Sequence, residues 1–560
     1  QVMSSSEGKA RKSTVFSAPI RFVIAMIALG VLPAGLLLVR AFTASSAQSC
    51  RLGLKTATWN VAAVNNNPFE YWITHKDPAY NNLMDGVQDY IANTGDRDVL
   101  VKDIITEEMM KQLFEDLATH GTAQGDLDQV AHRWQTEYQN RKSISEFMKD
   151  PVIGKKRLAS MPDRVTNTIN LADGNVAMRP TAINCVGGDL STMDGWWKQW
   201  RDFFFINKIA VPGKGGGAPQ EKLVYEMLGP IKNAKYPAIT VEEEAISIPL
   251  QTMALAIFDG ILVHMLNDIG KDTWQPIRKE VCEALNKNKD DQIMNILSSS
   301  YNGADLIFLQ ETATAFKKKL VQNKDLGNRY TLISPVTDGK RDQNSLILAS
   351  SKMFKADSVK DVTQDVLGTM IEDWAAPGDL VVATVQDTGG DKFYLASFHG
   401  DTNGLATKPV VEAVHTVWQK SYSDHKFVMG LDGNTYKVHD EDWQGVMDFD
   451  AFLSSKGMSS CWAPKPDPLN PTTCNARTYL QPQLNKAIAR GDRLTKGDVN
   501  LKDWIIFPAD AFTPSHTTKD NTGEVKYIEE MVFPTLQFPS DHAVVATTLI
   551  PSSEKGCISD

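Results

Sequence analysis

A chain of 560 residues is too long for one ordinary core, so two folded units with tails are expected. Its 42% hydrophobic and 22% charged content excludes a disordered chain, and the formal charge of −10 excludes a broadly basic nucleic-acid-binding surface. A nuclease stays open, because a bound divalent cation supplies positive charge locally at a phosphate.

The first feature along the chain is the uncharged apolar run 22–39, FVIAMIALGVLPAGLLLV, between Arg21 and Arg40. As a helix it measures roughly 27 Å, enough to cross a bilayer. Lys9, Arg11, Lys12 and Arg21 precede it, and positive charge favours the cytoplasmic side. The pattern predicts a basic cytoplasmic tail over 1–21, a transmembrane signal anchor over 22–39, and a single-pass protein with the rest outside the cell or in a lumen. The rival readings are a signal peptide cleaved near Ala44 to Ala47, giving a secreted protein, and a buried core helix.

Residues 52–61 alternate as a strand does, and 304–311 is the next run of similar quality. Between them the pattern reads mostly as helix, at 106–118, 126–140 and 246–267. The first opens on Thr106 with Glu107 and Glu108 in its first turn, where the helix dipole favours anions. The third is apolar on nearly all sides yet contains Asp259 and His264, which fits a buried helix better than a second span. The aromatic run 196–205, WWKQWRDFFF, is either the packed face of an amphipathic helix or a base-stacking or membrane-dipping surface. The stretch 212–219, PGKGGGAP, lacks the Gly-Lys-Ser/Thr ending and the preceding strand of a phosphate loop, so it reads as a flexible loop.

From about residue 290 the pattern changes. A short helix over 292–299 leads into strands at 304–311, 344–350, 380–385, 392–398, 426–431, 504–507 and 543–550, with helical patterns at 409–421 and 443–455. Such mixing indicates layered sheets covered by helices. The six cysteines form no CxxC pair, which argues against a structural zinc site. Cys461 and Cys474 flank a Pro-rich loop and either close it with a disulfide or stand as separate buried thiols. The chain has no Asn-x-Ser/Thr sequon, which disfavours a heavily glycosylated secreted protein.

Six polar motifs end or begin apolar runs: Thr58-Trp59-Asn60, Leu309-Gln310-Glu311, Phe398-His399-Gly400, Leu431-Asp432-Gly433-Asn434, Lys502-Asp503-Trp504 and Ser540-Asp541-His542. Hydrolysis of a phosphoester needs charge neutralisation, an aligned water and a protonated leaving group, and these residue types supply all three. In this order they resemble the motifs of the endonuclease/exonuclease/phosphatase family over about 52–66 and 290–551. The sequence departs from that pattern at Leu431, where the family has Gly, and in the long separation of the first two motifs.

The resemblance implies an α/β fold: a four-layer α/β/β/α sandwich of two mixed sheets, interrupted after its first strand by a mostly helical insertion, 67–289. It also implies a Mg2+ ion, with Mn2+ as a substitute. Glu311 is the first choice as direct ligand, with Asp541 and Asn60 beside it or acting through water. Asp432 would orient the attacking water or take its proton, and Asn434 would fix water or phosphate. His542 would contact the phosphate with Asp503 holding its ring, and His399 would donate to phosphate or to the leaving oxygen. Asp401 reads as a turn residue, and His415, His425, His439 and His516 as packed or solvated. Arg341 is a further candidate. Arg477 either contacts a second phosphate or a base, or is a surface arginine in a turn.

The expected substrates are nucleic acid, nucleotides or a phospholipid headgroup. The leading expectation is a membrane-anchored, nuclease-like phosphodiesterase or phosphatase. Its alternatives are a sphingomyelinase-like or inositol phosphate hydrolase and a catalytically silent subunit. The insertion is expected either to cover the site as a lid or to bind a protein partner. The membrane itself would be met through 22–39.

Overall fold

Two strands from opposite ends of the described chain, β1 (Leu54–Asn60) and β16 (Val544–Pro551), pair antiparallel. The computed structural model that shows this describes residues 53–159, 167–213, 217–337 and 343–553. The apolar run 22–39, Arg341, Cys50 and Cys557 lie outside the described residues.

After β1 the chain makes two small hairpins, β2 (Thr168–Asn170) with β3 (Val176–Met178) and β4 (Ile209–Val211) with β5 (Gln220–Lys222). It then forms β6 (Leu306–Thr312), β7 (Tyr330–Ile333), β8 (Asn344–Ser350), β9 (Lys360–Asp361), β10 (Leu380–Gln386), β11 (Lys392–His399) and β12 (Lys426–Asp432). The remainder are β13 (Met458–Ser460), β14 (Asp503–Pro508), β15 (Phe512–Asp520) and β16. Two six-stranded sheets result, in the orders β15-β16-β1-β6-β8-β7 and β13-β14-β12-β11-β10-β9. Each holds a single parallel pair, β1/β6 and β11/β12, at its centre between antiparallel neighbours.

The central strands are nearly continuous hydrophobic runs because both of their faces are covered. Leu306, Phe308, Ile347 and Leu549 of the first sheet meet Val382, Leu395 and Met429 of the second. The approach is close enough that a Cβ on Gly430 would collide with the Phe308 side chain, so only glycine fits there. Polar ties cross the same gap: the buried Gln310 amide donates to Ser397 Oγ at 3.1 Å, and Ser397 donates to the Leu309 carbonyl at 3.2 Å. Helices Lys289–Ser299 and Thr314–Gln322 cover the outer face of the first sheet through Ile293, Leu297, Phe316 and Leu320. Helices Thr407–Ser421 and Val446–Ser455 cover the second through Val410, Val414, Phe449 and Leu453. The order is α/β/β/α.

Residues 67–289 are mainly helical and have their own core. Thr106 caps helix Glu107–Thr119 by accepting from the Met109 amide at 3.2 Å. Helix Ser247–Gly270 is buried on nearly every side and forms the centre of this core. Its Asp259 is fully buried, bound to Arg179 Nε at 2.8 Å and to Trp200 Nε1 at 2.9 Å, so the charge inside the helix is compensated. The aromatic run resolves as core: Trp196, Trp200 and Phe204 are fully buried, and Phe203 is half-buried against the same cluster. Ala476 and Leu480, from the sandwich side, enter the same core and join the two parts into one unit.

Of the two readings open for Cys461 and Cys474, separate buried thiols is the one the structure shows. Cys461 and Cys474 are both free and buried, and burial pushes their thiols up to about 12 and about 11. The disulfide joins Cys185 to Cys282, 97 residues apart, within the helical segment.

Candidate active site

The parallel pairs of both sheets end at one common rim. Asn60 is in register with Gln310, His399 with Asp432, and Asp432 with Asp503 on the antiparallel β14. Strands β14 and β16 begin where β1, β6, β11 and β12 end, which brings Asp503 and His542 to the same place.

Glu311 sits at a register shift in β6, between Leu309 and Thr312, with φ +55°. An extra residue in one strand of a pair re-aims the side chain, and left-handed backbone in a non-glycine residue is strained by about 1–3 kcal/mol. The turned Glu311 accepts from Asn60 Nδ2 at 3.0 Å and from the Ala63 amide at 2.9 Å, and it lies 3.2 Å from His399 Nε2. Burial works against its charge, but His399, Asn60 and the Ala63 amide outweigh burial and hold the carboxyl well below the usual range. His399 responds in kind. Burial lowers its affinity for a proton, while the Glu311 and Asp432 carboxylates raise it further, to about 9.

Asp432 is fully buried at the end of β12. Its Oδ2 accepts from Asn60 Nδ2 at 2.8 Å, and its Oδ1 from the Asn434 amide at 2.9 Å. Oδ2 stands 3.7 Å from both His399 Nε2 and His542 Nε2, between the two imidazoles. Asn434 has φ +45°, a conformation asparagine tolerates, and its amide donates to the Gly400 carbonyl at 3.3 Å. Gly404 is held at φ +72° against the Asn434 carbonyl oxygen, where a side chain has no room. Asp401 is the turn residue expected, accepting from the Ala406 amide at 2.7 Å.

His542 Nδ1 lies 3.0 Å from Asp503 Oδ2, and Thr472 Oγ1 donates to that oxygen at 2.6 Å. Burial opposes a charge on His542, but the Asp503 and Asp432 carboxylates raise its proton affinity well above the ordinary value. Ser540 Oγ accepts from the His542 amide at 3.0 Å and donates to the Asn60 carbonyl at 2.6 Å, while Trp59 Nε1 holds the His542 carbonyl at 2.9 Å. These ties fasten the last motif to the first strand.

Asp541 faces a cavity of about 290 Å³ that Glu311 also lines. The opposite wall comes from the helical segment: Val281, Leu285, Asn286 and Lys289, beside Cys185. Lys289 is 4% exposed, and its one hydrogen bond among the described residues goes to the Ala63 carbonyl at 3.2 Å. Burial pulls its ammonium down to about 8, against the upward pull of Asp541 and Glu311.

All eight residues singled out from the sequence therefore stand at one rim or its adjoining cavity. Asn60 is fully buried at this rim. Its Oδ1 accepts from the Ala62 amide at 2.8 Å and its Nδ2 is shared between two carboxylates, so it clamps the acids. Sequence reasoning missed Thr472, which lies in an irregular segment, and Lys289, whose charge at a helix start looks solvated. The four histidines set aside from the sequence stand elsewhere: His415 packs on Trp418, His425 meets Asp424, His439 meets the Trp443 carbonyl, and His516 is exposed on β15.

The donor set suits a hard divalent cation. Ligand atoms of Glu311, His399 and Asp432 lie within 4.8 Å of one another, as do those of Asp432, Asp503 and His542. Oxygen donors dominate, as magnesium requires. Four carboxylates against His399, His542 and Lys289 leave a negative balance, which a divalent cation reverses in favour of a phosphate.

A family described as a domain of unknown function (DUF8234) matches residues 98–279, within the helical segment. No curated protein matches the chain. Among solved structures, D. rerio TDP2 in complex with a single-strand DNA product is 15% identical, covering 47% of this chain and 92% of its own, with a TM-score of 0.30. An endonuclease/exonuclease/phosphatase from Bacteroides vulgatus is 12% identical, covering 48% and 92%, with a TM-score of 0.34. A functionally unknown conserved protein from Enterococcus faecalis V583 is 13% identical, covering 49% and 95%, with a TM-score of 0.32. On its own strand order and layering, the chain has an endonuclease/exonuclease/phosphatase-like α/β sandwich fold.

Proposed function

We propose that the chain is a Mg2+-dependent phosphoester hydrolase, nuclease-like in mechanism, anchored to a membrane by residues 22–39 with its catalytic part on the extracellular or lumenal side. One observation carries the hydrolase reading: Asn60, Glu311, His399, Asp432 and His542, from five distant stretches, form one connected polar network across both sheets.

Glu311 and Asp541 would hold the ion, and the ion would neutralise phosphate charge. His542, kept cationic by Asp503, donates to a phosphate oxygen. Asp432, fixed by Asn60 and the Asn434 amide, accepts the proton of the attacking water. His399, cationic beside Glu311, donates to the leaving oxygen. Lys289 adds a donor on the far wall of the cavity.

Purified full chain with Mg2+ should hydrolyse at least one of sphingomyelin, inositol phosphates, RNA, single-stranded DNA or double-stranded DNA. Glu311→Ala and His542→Ala should abolish that turnover with little change in melting temperature. Unchanged turnover by either variant removes the reading. The lipid-headgroup alternative loses part of its motive, since Trp196, Trp197, Trp200, Phe204 and Phe205 are buried. The silent-subunit alternative is disfavoured by the wall that the helical segment gives the cavity. Protease protection of membrane vesicles tests the anchor: cytoplasmic cleavage of the catalytic part would overturn it.

A further inference from the structure

The cavity at Glu311 and Asp541 does not stand alone. A second cavity, of about 360 Å³, shares Val64, Asn65, Asn67 and Glu70 with its wall. The two make one trough between the helical segment and the sandwich, running from the catalytic acids to Arg179, Arg477 and Lys486.

The far end is rich in donors and poor in free acid. Glu70 is the one carboxylate among the described lining residues there, and it is spent: Oε1 meets Arg477 Nη1 at 2.9 Å, and Oε2 accepts from Asn65 Nδ2 at 2.8 Å. Arg179 is 2% exposed. Its Nε and Nη2 bind Asp259 at 2.8 and 3.3 Å, while its buried Nη1 has no hydrogen-bond partner among the described residues. A buried donor left unmade costs about 1–3 kcal/mol, a cost that an anion at this end of the cavity would offset. Guanidinium groups suit phosphate, because their N–H fork matches its oxygens.

We propose that this second cavity binds a phosphate of the substrate other than the one being cleaved, so that the preferred substrates carry two anionic groups. The proposal rests on the hydrolase reading of the first cavity. The second phosphate belongs to a nucleotide chain or to a polyphosphorylated headgroup. The shared wall at Asn65 and Asn67 makes the two stations parts of one ligand path.

The test is a titration of the full chain with inorganic phosphate, with a chelator present so that no metal ion contributes. Arg179→Lys keeps a cation on Asp259 and removes the Nη1 donor, and Arg477→Gln, which leaves Arg179 untouched, is the second variant should the first fail to fold. Saturable binding by the wild type, weakened tenfold or more in both folded variants, supports the proposal. Absence of saturable binding, meaning that water alone fills the cavity, overturns it. So does equal binding by all three proteins, or binding lost in His542→Ala and kept in Arg477→Gln. A kinetic arm then compares KM for a dinucleotide with and without a 5′-phosphate, and for an inositol bisphosphate and monophosphate. A KM preference for the doubly anionic member of either pair, falling toward one in the variants, supports the proposal and identifies the source. No hydrolysis of any substrate, with phosphate binding intact and sensitive to the arginines, removes the hydrolase reading and leaves the anion site standing.

Discussion

Asn60 and Asp432 are joined across the two sheets by a 2.8 Å hydrogen bond, and the same Asn60 amide reaches Glu311 at 3.0 Å. One side chain therefore sets the separation of the two carboxylates on which the proposed chemistry depends. Asn60→Ala should cost about 1–3 kcal/mol of stability, through unpaired buried carboxylate oxygens, and lower kcat roughly 100-fold. Asn60→Asp should do worse, because it places a third carboxylate between two others. Urea unfolding and steady-state kinetics measure both; an Ala variant with wild-type kcat would refute the clamp.

The Asp503–His542 pair predicts a graded series. Asp503→Asn removes the charge that keeps His542 cationic and offers its Nδ1–H an amide in place of a carboxylate, so kcat should fall by roughly 10³–10⁴. Thr472→Val removes only the hydroxyl that steadies Asp503, and a loss of about tenfold is expected. Equal losses in the two variants would contradict this order of roles.

Lys289 gives a pH dependence with a definite sign. Its folded value is depressed from 10.5 to about 8, so between those limits the unfolded chain binds more protons and stability rises with pH. The contribution is complete above 10.5 and is lost as pH falls through about 8. Lys289→Met should accordingly be more stable than wild type at pH 7, by roughly 2–3 kcal/mol, with the gap closing toward pH 10. A gap that stays constant from pH 7 to pH 10 would show that burial does not depress the amine.

Chelation of divalent ions should abolish hydrolysis, and Mg2+ or Mn2+ should restore it. Glu311→Gln should weaken Mg2+ binding tenfold or more by calorimetry, because it removes the only charge on the first-choice ligand. Full activity after exhaustive chelation would dismiss the ion.

The Cys185–Cys282 disulfide closes a long loop beside the cavity at Glu311 and Asp541. Replacing both residues by Ala should cost about 2–4 kcal/mol in thermal or urea unfolding. KM should rise as the wall at Val281 and Leu285 loosens. A double variant as stable as the wild type would argue against a bridge that constrains the fold.

Much of this site could be read from sequence because the side chains lie at the ends of apolar runs, and a run that ends in Asn60 or Asp432 marks both a strand and its functional tip. Strands buried on both faces, such as β8 and β12, are uniform enough to place within a residue. β15 was invisible for the opposite reason: FTPSHTTKD at a sheet edge is polar, contains Pro514, and pairs on one side only. The true cysteine pairing was hidden because Cys185 and Cys282 meet only through the packing of the helical segment. Lys289 and Thr472 carry no local signal; tertiary placement alone makes them neighbours of the acids.

The pairing of β1 with β16 has a further consequence for how the protein is made. Thr56 meets Thr547 across 491 residues of chain, so a nascent polypeptide exposes the bare edge of its opening strand throughout most of translation. During that interval it has no His542 and no finished rim. Truncated or stalled products should therefore be inert as hydrolases and prone to aggregate, and the demand for chaperones should fall on the ribosome-bound chain, before the native protein exists.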